Sequence, residues 1–459
     1  MTPAALPMES PIGRVEGLAE AVREGKPLPP ADLAVLEHYI AVAEDAGGWD
    51  RVAEIVVAAE LVDRGFRMHR LADGADCRRD ELLLGDYSLV CAAELATRMG
   101  RSDVDREFAE AAMTAAAGED YVPLLERAVT MAAAPASGEV APEGAPPPAV
   151  IAGDELAAID AYLAGVVASD PVMVGEPMAK LLGAGGKRLR SVLAYLASTL
   201  GPRQDPRRAA TLAAVVEFIH NATLVHDDLV DESPLRRGLP TIHLAYGPAA
   251  AVRVGDFYFG RAADLLGSLD NQRATRLVVE AVALVCQAQI DEFMQRGEDH
   301  LDEASYLRIV EGKTAALFAG ACAAGAAVAG ASDELIEALQ SYGQNLGIAF
   351  QMVDDVLDFS TGSGKTLAQD LQQTVTSLPL VYAGEDPRVR EQLAALRDAG
   401  DFDGEAAVAL VAGAGALDRA LRRARDYRDA AIAQLERLPE GETRDRLRAY
   451  ADFAVERRS

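Results

Sequence analysis

Six aspartates in two matching groups are the residues of this chain best placed to do chemistry. Asp227, Asp228 and Asp231 sit in HNATLVHDDLVDESPLRRG, within an apolar, helix-forming run. Asp354, Asp355 and Asp358 repeat the spacing in GIAFQMVDDVLDF. On a helix, residues four apart stack on one face, so the outer pair of each group points one way with the middle aspartate beside it. Converging carboxylates repel and lose hydration when half buried, so cations must neutralise them. Hard oxygen donors with room left for water and phosphate are what Mg²⁺ takes. One DDxxD occurs by chance on many solvated helix faces. Two, each in an apolar run, imply facing helices that hold several Mg²⁺ ions around one polyanion, a diphosphate above all.

The cationic partners of such a polyanion lie in three short segments. Gly185-Gly186-Lys187-Arg188-Leu189-Arg190 places Lys187 and Arg190 three apart at a helix start, where backbone N–H groups add to an anion site. Alone, that segment is more often a solvated basic turn. Arg236-Arg237-Gly238 follows the first aspartate group, and the planar arginine fork binds phosphate oxygens in pairs. Lys313-Thr314-Ala315 lies on an amphipathic helix, where an isolated Lys-Thr would be ordinary surface. His226, next to the aspartates, reads equally as a satisfied core residue and is not counted in the site. Gly255-Asp256-Phe257 reads as a helix start with the aspartate near its cap.

In order along the chain, GGKRLR, the first aspartate group, RRG, KTA and the Phe350-Gln351 pair before the second group resemble the trans-isoprenyl diphosphate synthases, or polyprenyl synthetases. ATLVHDDLVDESPLRRG is more similar to their medium- and long-chain members than to the farnesyl ones. The resemblance implies an all-α isoprenoid-synthase helical bundle that condenses isopentenyl diphosphate with an allylic diphosphate. It implies that both aspartate groups bind Mg²⁺, three ions per site, and that Asp227, Asp228 and Asp231 are catalytic. Lys187, Arg190, His220 and Arg237 would hold isopentenyl diphosphate; Arg236, Lys313 and Lys365 would hold the allylic diphosphate. Thr314 and Gln351 would turn oxygens toward the developing carbocation. Thr223 and Ala222, four and five residues before Asp227, are small where the family uses aromatics to stop growth, and Phe218 lies a further turn down. A product of twenty carbons or more is expected, and so is a homodimer.

The chain departs from the family at two points. Val375 stands where the family has a second lysine, and losing one charge-assisted contact costs about 1.5–3 kcal/mol. Asp291-Glu292-Phe293-Met294-Gln295 lacks the usual glycine, leaving Glu292 and Gln295 as supporting groups or as a solvated face. A class I terpene cyclase and a low-activity regulatory subunit of a heteromeric synthase are the competing readings. The cyclase would have one DDxxD and no isopentenyl diphosphate site, and the subunit would not keep all six aspartates.

The elements that carry these groups follow from composition. The 459 residues suggest two domains, and 50% apolar residues with 5% aromatics and 22 prolines suggest a helical globular chain. Lys+Arg total 44 against Asp+Glu 72, a formal charge of -28, which excludes a basic nucleic-acid stripe. Cys77, Cys91, Cys286 and Cys322 have no metal-site spacing and read as free thiols in a reducing cytoplasm. The N-terminus has no signal-peptide pattern, and AGACAAGAAVAG is too short to span a bilayer, so no transmembrane segment is expected.

Residues 1–134 read as a helical domain with helices near 31–46, 50–64, 79–98, 104–117 and 119–133. Its 13 basic and 25 acidic residues show that the acidity is not confined to one domain. An Ala/Pro/Gly linker at 135–150 leads to a catalytic domain at 151–459. The first domain faintly echoes the catalytic one. AELVD (59–63) precedes Gly85-Asp86-Tyr87 as DDLVD (227–231) precedes Gly255-Asp256-Phe257. Ala59 and Glu60 replace the first two aspartates, so the echo could not hold the metals. It is either a non-catalytic partial copy, similar to the small subunits of some long-chain synthases, or a coincidence between Ala-rich helices.

Overall fold

The structure, a computed structural model, describes residues 153–184, 188–295, 302–359, 377–398 and 404–456, with scattered residues from 58 to 125. The expected helix 31–46, the linker 135–150, Lys187, Lys365 and Val375 lie outside the described residues. In chain order the helices are α1 (Gly153–Ala168), α2 (Val172–Gly183), α3 (Leu189–Ala197), α4 (Pro206–Val230), α5 (Ile242–Tyr246), α6 (Pro248–Ser268) and α7 (Gln272–Gln295). Then come α8 (Glu303–Val310), a π-helical turn (Glu311–Ala315), α9 (Ala316–Val328), α10 (Asp333–Asp358) and α11 (Leu378–Ala383). The chain finishes with α12 (Pro387–Asp398), α13 (Gly404–Gly413), α14 (Ala416–Gln434) and α15 (Glu442–Glu456). Among the described residues the sole sheet is a hairpin of β1 (Leu235–Arg236) and β2 (Leu239–Pro240), so the all-α expectation holds.

Contacts divide the chain into two compact units. One comprises Met1–Arg188 and Pro206–Val279; the other comprises Leu189–Asp205 and Glu280–Ser459. In the first unit, α4 packs chiefly on α6 and also against α1. By length and composition α4 could cross a membrane, yet 83% of its apolar window is buried in protein. It is a core helix. Its end is a Schellman turn: Glu232 takes a left-handed φ of 52°, Glu232 N donates to Leu229 O, and Ser233 N to Asp228 O. The hairpin that follows turns on Arg237 and Gly238, with φ of 52° and 78°, the positive pair a tight two-residue turn requires.

In the second unit, α10 starts on Ser332, whose side chain accepts from Leu335 N, with Asp333 and Glu334 in the first turn. It packs on α9 and α14. Every residue of α9, the small-residue run ALFAGACAAGAAV, is buried. A helix apolar on all sides belongs in a core. Cys286 and Cys322 are free and buried.

Two sequence expectations are corrected in the N-terminal part. Phe66 and His69 are helical, beyond the end expected at residue 64. Tyr121 is not helical, and its carbonyl accepts from Leu125 N, so the helix expected from 119 begins after it. A third lies in α6. Asp256 is not near a cap but well inside the helix, because Pro248 supplies the real start at the first turn.

Candidate active site

The first acidic set closes α4. Asp227 and Asp231 are half-buried, while Asp228, one position round the helix, is 4% exposed. Arg236 on β1 holds Asp228 with its fork: Nε lies 3.0 and 3.1 Å from the two carboxylate oxygens, and Nη2 also donates to Oδ1. Burial pushes the Asp228 pKa up, outweighing the Arg236 guanidinium that pulls it down. Arg237, in the turn, donates Nη1 to the Leu181 carbonyl at 3.2 Å, and burial lowers its pKa.

The basic segment is anchored by a residue the sequence did not single out. Arg188 takes a left-handed φ of 47° and is 8% exposed. Its Nη1 lies 2.7 Å from Glu217 Oε1, its Nε 3.1 Å from Asp160 Oδ1, and its Nη2 donates to Leu182 O at 2.9 Å. Glu217, itself 2% exposed, also accepts from Asn221 Nδ2 at 2.9 Å. These contacts fix Arg188 to α1, α2 and α4. Arg190 follows in the first turn of α3, with its guanidinium 4.4 Å from the Phe318 ring centroid. His220 is half-buried on α4, and its carbonyl accepts from Thr223 Oγ1 at 2.8 Å.

The second acidic set closes α10 in the same way that the first closes α4. Asp354 is half-buried, Asp358 exposed, and the middle residue, Asp355, buried. Three donors converge on Asp355: Tyr306 OH at 2.7 Å and Leu378 N at 2.9 Å on Oδ2, and Gln351 Nε2 at 2.9 Å on Oδ1. Burial pushes its pKa up to about 6 despite those bonds. Thr314 Oγ1 donates to Gln351 Oε1 at 2.9 Å, so a chain of hydrogen bonds runs Thr314–Gln351–Asp355. Thr314 and Lys313 lie in the π-helical turn, a distortion common at functional sites. Lys313 Nζ donates to Glu292 Oε2.

Both sets therefore sit at the carboxyl ends of their helices, where the backbone dipole is already negative and acid is destabilising. Helix stability gains nothing from acid there. Bound cations would offset both the dipole and the mutual repulsion, and hard oxygen donors of this kind suit Mg²⁺. The donor chemistry fits such an ion, with Asp227, Asp231, Asp354 and Asp358 as the more accessible carboxylates.

Below the first set, Thr223 is half-buried, Ala222 buried, and Phe218 fully buried. Phe218 stacks on Tyr258 of α6, ring centroids 5.0 Å apart. Tyr258 OH donates to Asp170 Oδ2 at 2.9 Å, and Arg261 Nε to Asp170 Oδ1 at 3.0 Å.

The polyprenyl synthetase family model matches residues 171–411, which contain both aspartate groups, GGKRLR, RRG and KTA. The chain belongs to the polyprenyl synthetase family. It is 36% identical to the octaprenyl diphosphate synthase of Haemophilus influenzae over 63% of this chain and 90% of that protein. It is also 36% identical to the heptaprenyl diphosphate synthase component 2 of Geobacillus stearothermophilus, over 66% of this chain and 96% of that one. Among solved structures, a polyprenyl synthase from Caulobacter crescentus, complexed with calcium and isoprenyl diphosphate, superposes with a TM-score of 0.62. Identity to it is 38%, over 67% of this chain and 95% of that one.

This polyprenyl synthetase is a metal-dependent prenyltransferase that condenses isopentenyl diphosphate with an allylic diphosphate, giving an all-trans polyprenyl diphosphate of twenty or more carbons. Within it, sequence reasoning missed Arg188, Glu217, Tyr306 and the Leu378 backbone N–H. Arg188 stood inside GGKRLR and carried a signal that went unused. Tyr306 carried none, since its partner lies far along the chain. His226 proves to be a core residue: it is 2% exposed, with Nδ1 2.9 Å from Asp86 Oδ2.

Proposed function

We propose that this synthetase elongates to the quinone side-chain range, with Phe218 as the floor under the growing tail. The length reading is carried by small Ala222 and Thr223 with fully buried Phe218 a further turn down α4, and the metal-assisted step by the acidic sets at the carboxyl ends of α4 and α10. Three Mg²⁺ ions bound there would supply electrostatic stabilisation of a diphosphate leaving group. Asp227, Asp231, Asp354 and Asp358 would hold them; Asp228 and Asp355, engaged by Arg236 and by Tyr306, Gln351 and Leu378, keep the helix ends in place.

Arg236, Lys313 and Lys365 bind the allylic diphosphate, and Lys187, Arg190, His220 and Arg237 bind isopentenyl diphosphate. The C1–O bond of the allylic substrate breaks to give a carbocation. Thr314 Oγ1 commits its proton to Gln351 and so keeps its lone pairs for that positive centre. The isopentenyl double bond attacks C1, and the proton lost from C2 passes to the departing pyrophosphate. Thr223 and Ala222 leave room for the tail.

Incubation with labelled isopentenyl diphosphate, an allylic primer and Mg²⁺ yields linear products that vanish with chelator; a cyclic hydrocarbon or no product overturns the reading. Phe218→Ala shifts those products to longer chains on chromatography, at a stability cost of about 3–5 kcal/mol. Unchanged lengths would remove Phe218 as the floor.

A further inference from the structure

Four buried side chains outside the catalytic groups form an alternating square of two acids and two histidines. Asp86 Oδ2 lies 2.9 Å from His226 Nδ1, and His226 Nε2, whose hydrogen-bond partner is the Val252 carbonyl at 3.2 Å, lies 3.8 Å from Asp256 Oδ1. Asp256 Oδ1 lies 2.7 Å from His69 Nδ1, and His69 Nε2 returns to Asp86 Oδ1 at 3.2 Å. The corners are between 2% and 8% exposed. Burial alone would drive the His69 pKa down, yet the charges and hydrogen bonds of Asp256 and Asp86 push it up to about 10. His69 spends both ring nitrogens on acids at opposite edges, a bridging arrangement that a single metal ion would not produce.

Two corners, His69 and Asp86, come from the N-terminal residues, and two, His226 and Asp256, from α4 and α6. The square has an approximate twofold character that exchanges the two histidines and the two aspartates. The sequence carries part of the same relation, for Asp86 and Asp256 are the matching members of Gly85-Asp86-Tyr87 and Gly255-Asp256-Phe257. The histidines do not align in that echo: His226 directly precedes DDLVD, whereas His69 lies beyond AELVD. A face that meets its partner through the same residue types on both sides is what a twofold interface looks like.

Packing beside the square is equally close. A Cβ at Gly260 of α6 would come within 2.8 Å of Met113 Cγ and 3.2 Å of Ala109 O, so the helical residues around 108–115 rest on bare backbone. A Cβ at Gly255 would strike the His226 ring at 2.1 Å. Both glycines are needed for the approach.

We propose that the N-terminal residues carrying His69, Asp86 and the helical stretch at Phe108–Ala111 are a built-in partner that occupies the α4/α6 face in place of a second copy of the chain, latched by the His69–Asp86–His226–Asp256 square. Copies of the wild-type chain then do not meet through α6. The inference stands on the packing of this segment alone and is independent of the reaction.

The test uses the full chain in two variants. His69→Gln with Asp86→Asn removes the segment's half of the latch, and Gly260→Leu wedges the helix around 108–115 away. Hydrogen exchange and cross-linking of mixed isotopically light and heavy chains are read together. In the wild type, α6 is protected at every concentration and cross-links only within its own chain. In both variants, exchange in α6 and in residues 58–125 rises together by tenfold or more, and α6–α6 links between chains appear on concentration. Wild-type α6–α6 links between light and heavy chains would overturn the proposal. So would α6 protection unchanged in both variants.

Discussion

Replacing Asp227 and Asp231 together with alanine lowers kcat by about three to five orders of magnitude, because metal-borne charge stabilisation is worth several kcal/mol and each 1.36 kcal/mol is tenfold. The same change leaves the fold intact. Asp228 still accepts the Arg236 fork, and two negative charges leave the negative end of α4. Thermal melting therefore stays level or rises by a few tenths to about 1 kcal/mol for each charge removed. That split between lost turnover and retained stability separates a metal-binding role from a structural one. Steady-state kinetics and calorimetry on the same preparation decide it, and turnover within tenfold of wild type would reject the role.

Glu217→Ala has the opposite signature. It strands the Arg188 guanidinium in a buried site, and breaking one side of a buried ion pair costs about 3–5 kcal/mol. Asp160, Arg188's other acidic partner, has a side chain 51% exposed, so Asp160→Ala costs only about 0–1 kcal/mol. Denaturant titration of the two variants should show that gap; equal losses would mean that Glu217 is not the anchor. Because Arg188 lies between Lys187 and Arg190, the Glu217 variant also raises KM for isopentenyl diphosphate more than it lowers kcat. Pairing Glu217→Leu with Arg188→Met removes both charges and recovers most of the stability, as apolar replacement of a buried pair does elsewhere.

What could be read from the sequence was whatever repeats locally. The four-residue spacing of Asp227 with Asp231, and of Asp354 with Asp358, fixed their helix faces, and the apolar runs around them gave the helical class. The orientation of each middle aspartate was not legible. Asp228 turns to an arginine eight residues on, but Asp355 turns to Tyr306, 49 residues back, and to Leu378 N, 23 residues ahead. Arg188 was hidden for the same reason, since its partner Glu217 sits 29 residues along the chain. Gly255-Asp256 misled because glycine followed by aspartate looks like a helix boundary, while here the glycine makes space for the His226 ring. Local pattern names a helix face; only tertiary packing says what that face meets.

The π turn at Glu311–Ala315 reaches further than the two side chains it presents. Accommodating one surplus residue in a single turn rotates everything after it by about 100° relative to an unbroken α-helix. The next thirteen residues are α9, buried on every side and fitted against α10. Deleting one residue from the bulge would thus spin a whole core helix inside its socket, with no solvent-facing side to absorb the misfit. Lys313 and Thr314 are in this sense geared to the interior, and the phase of one irregular turn is what keeps catalysis and packing in step.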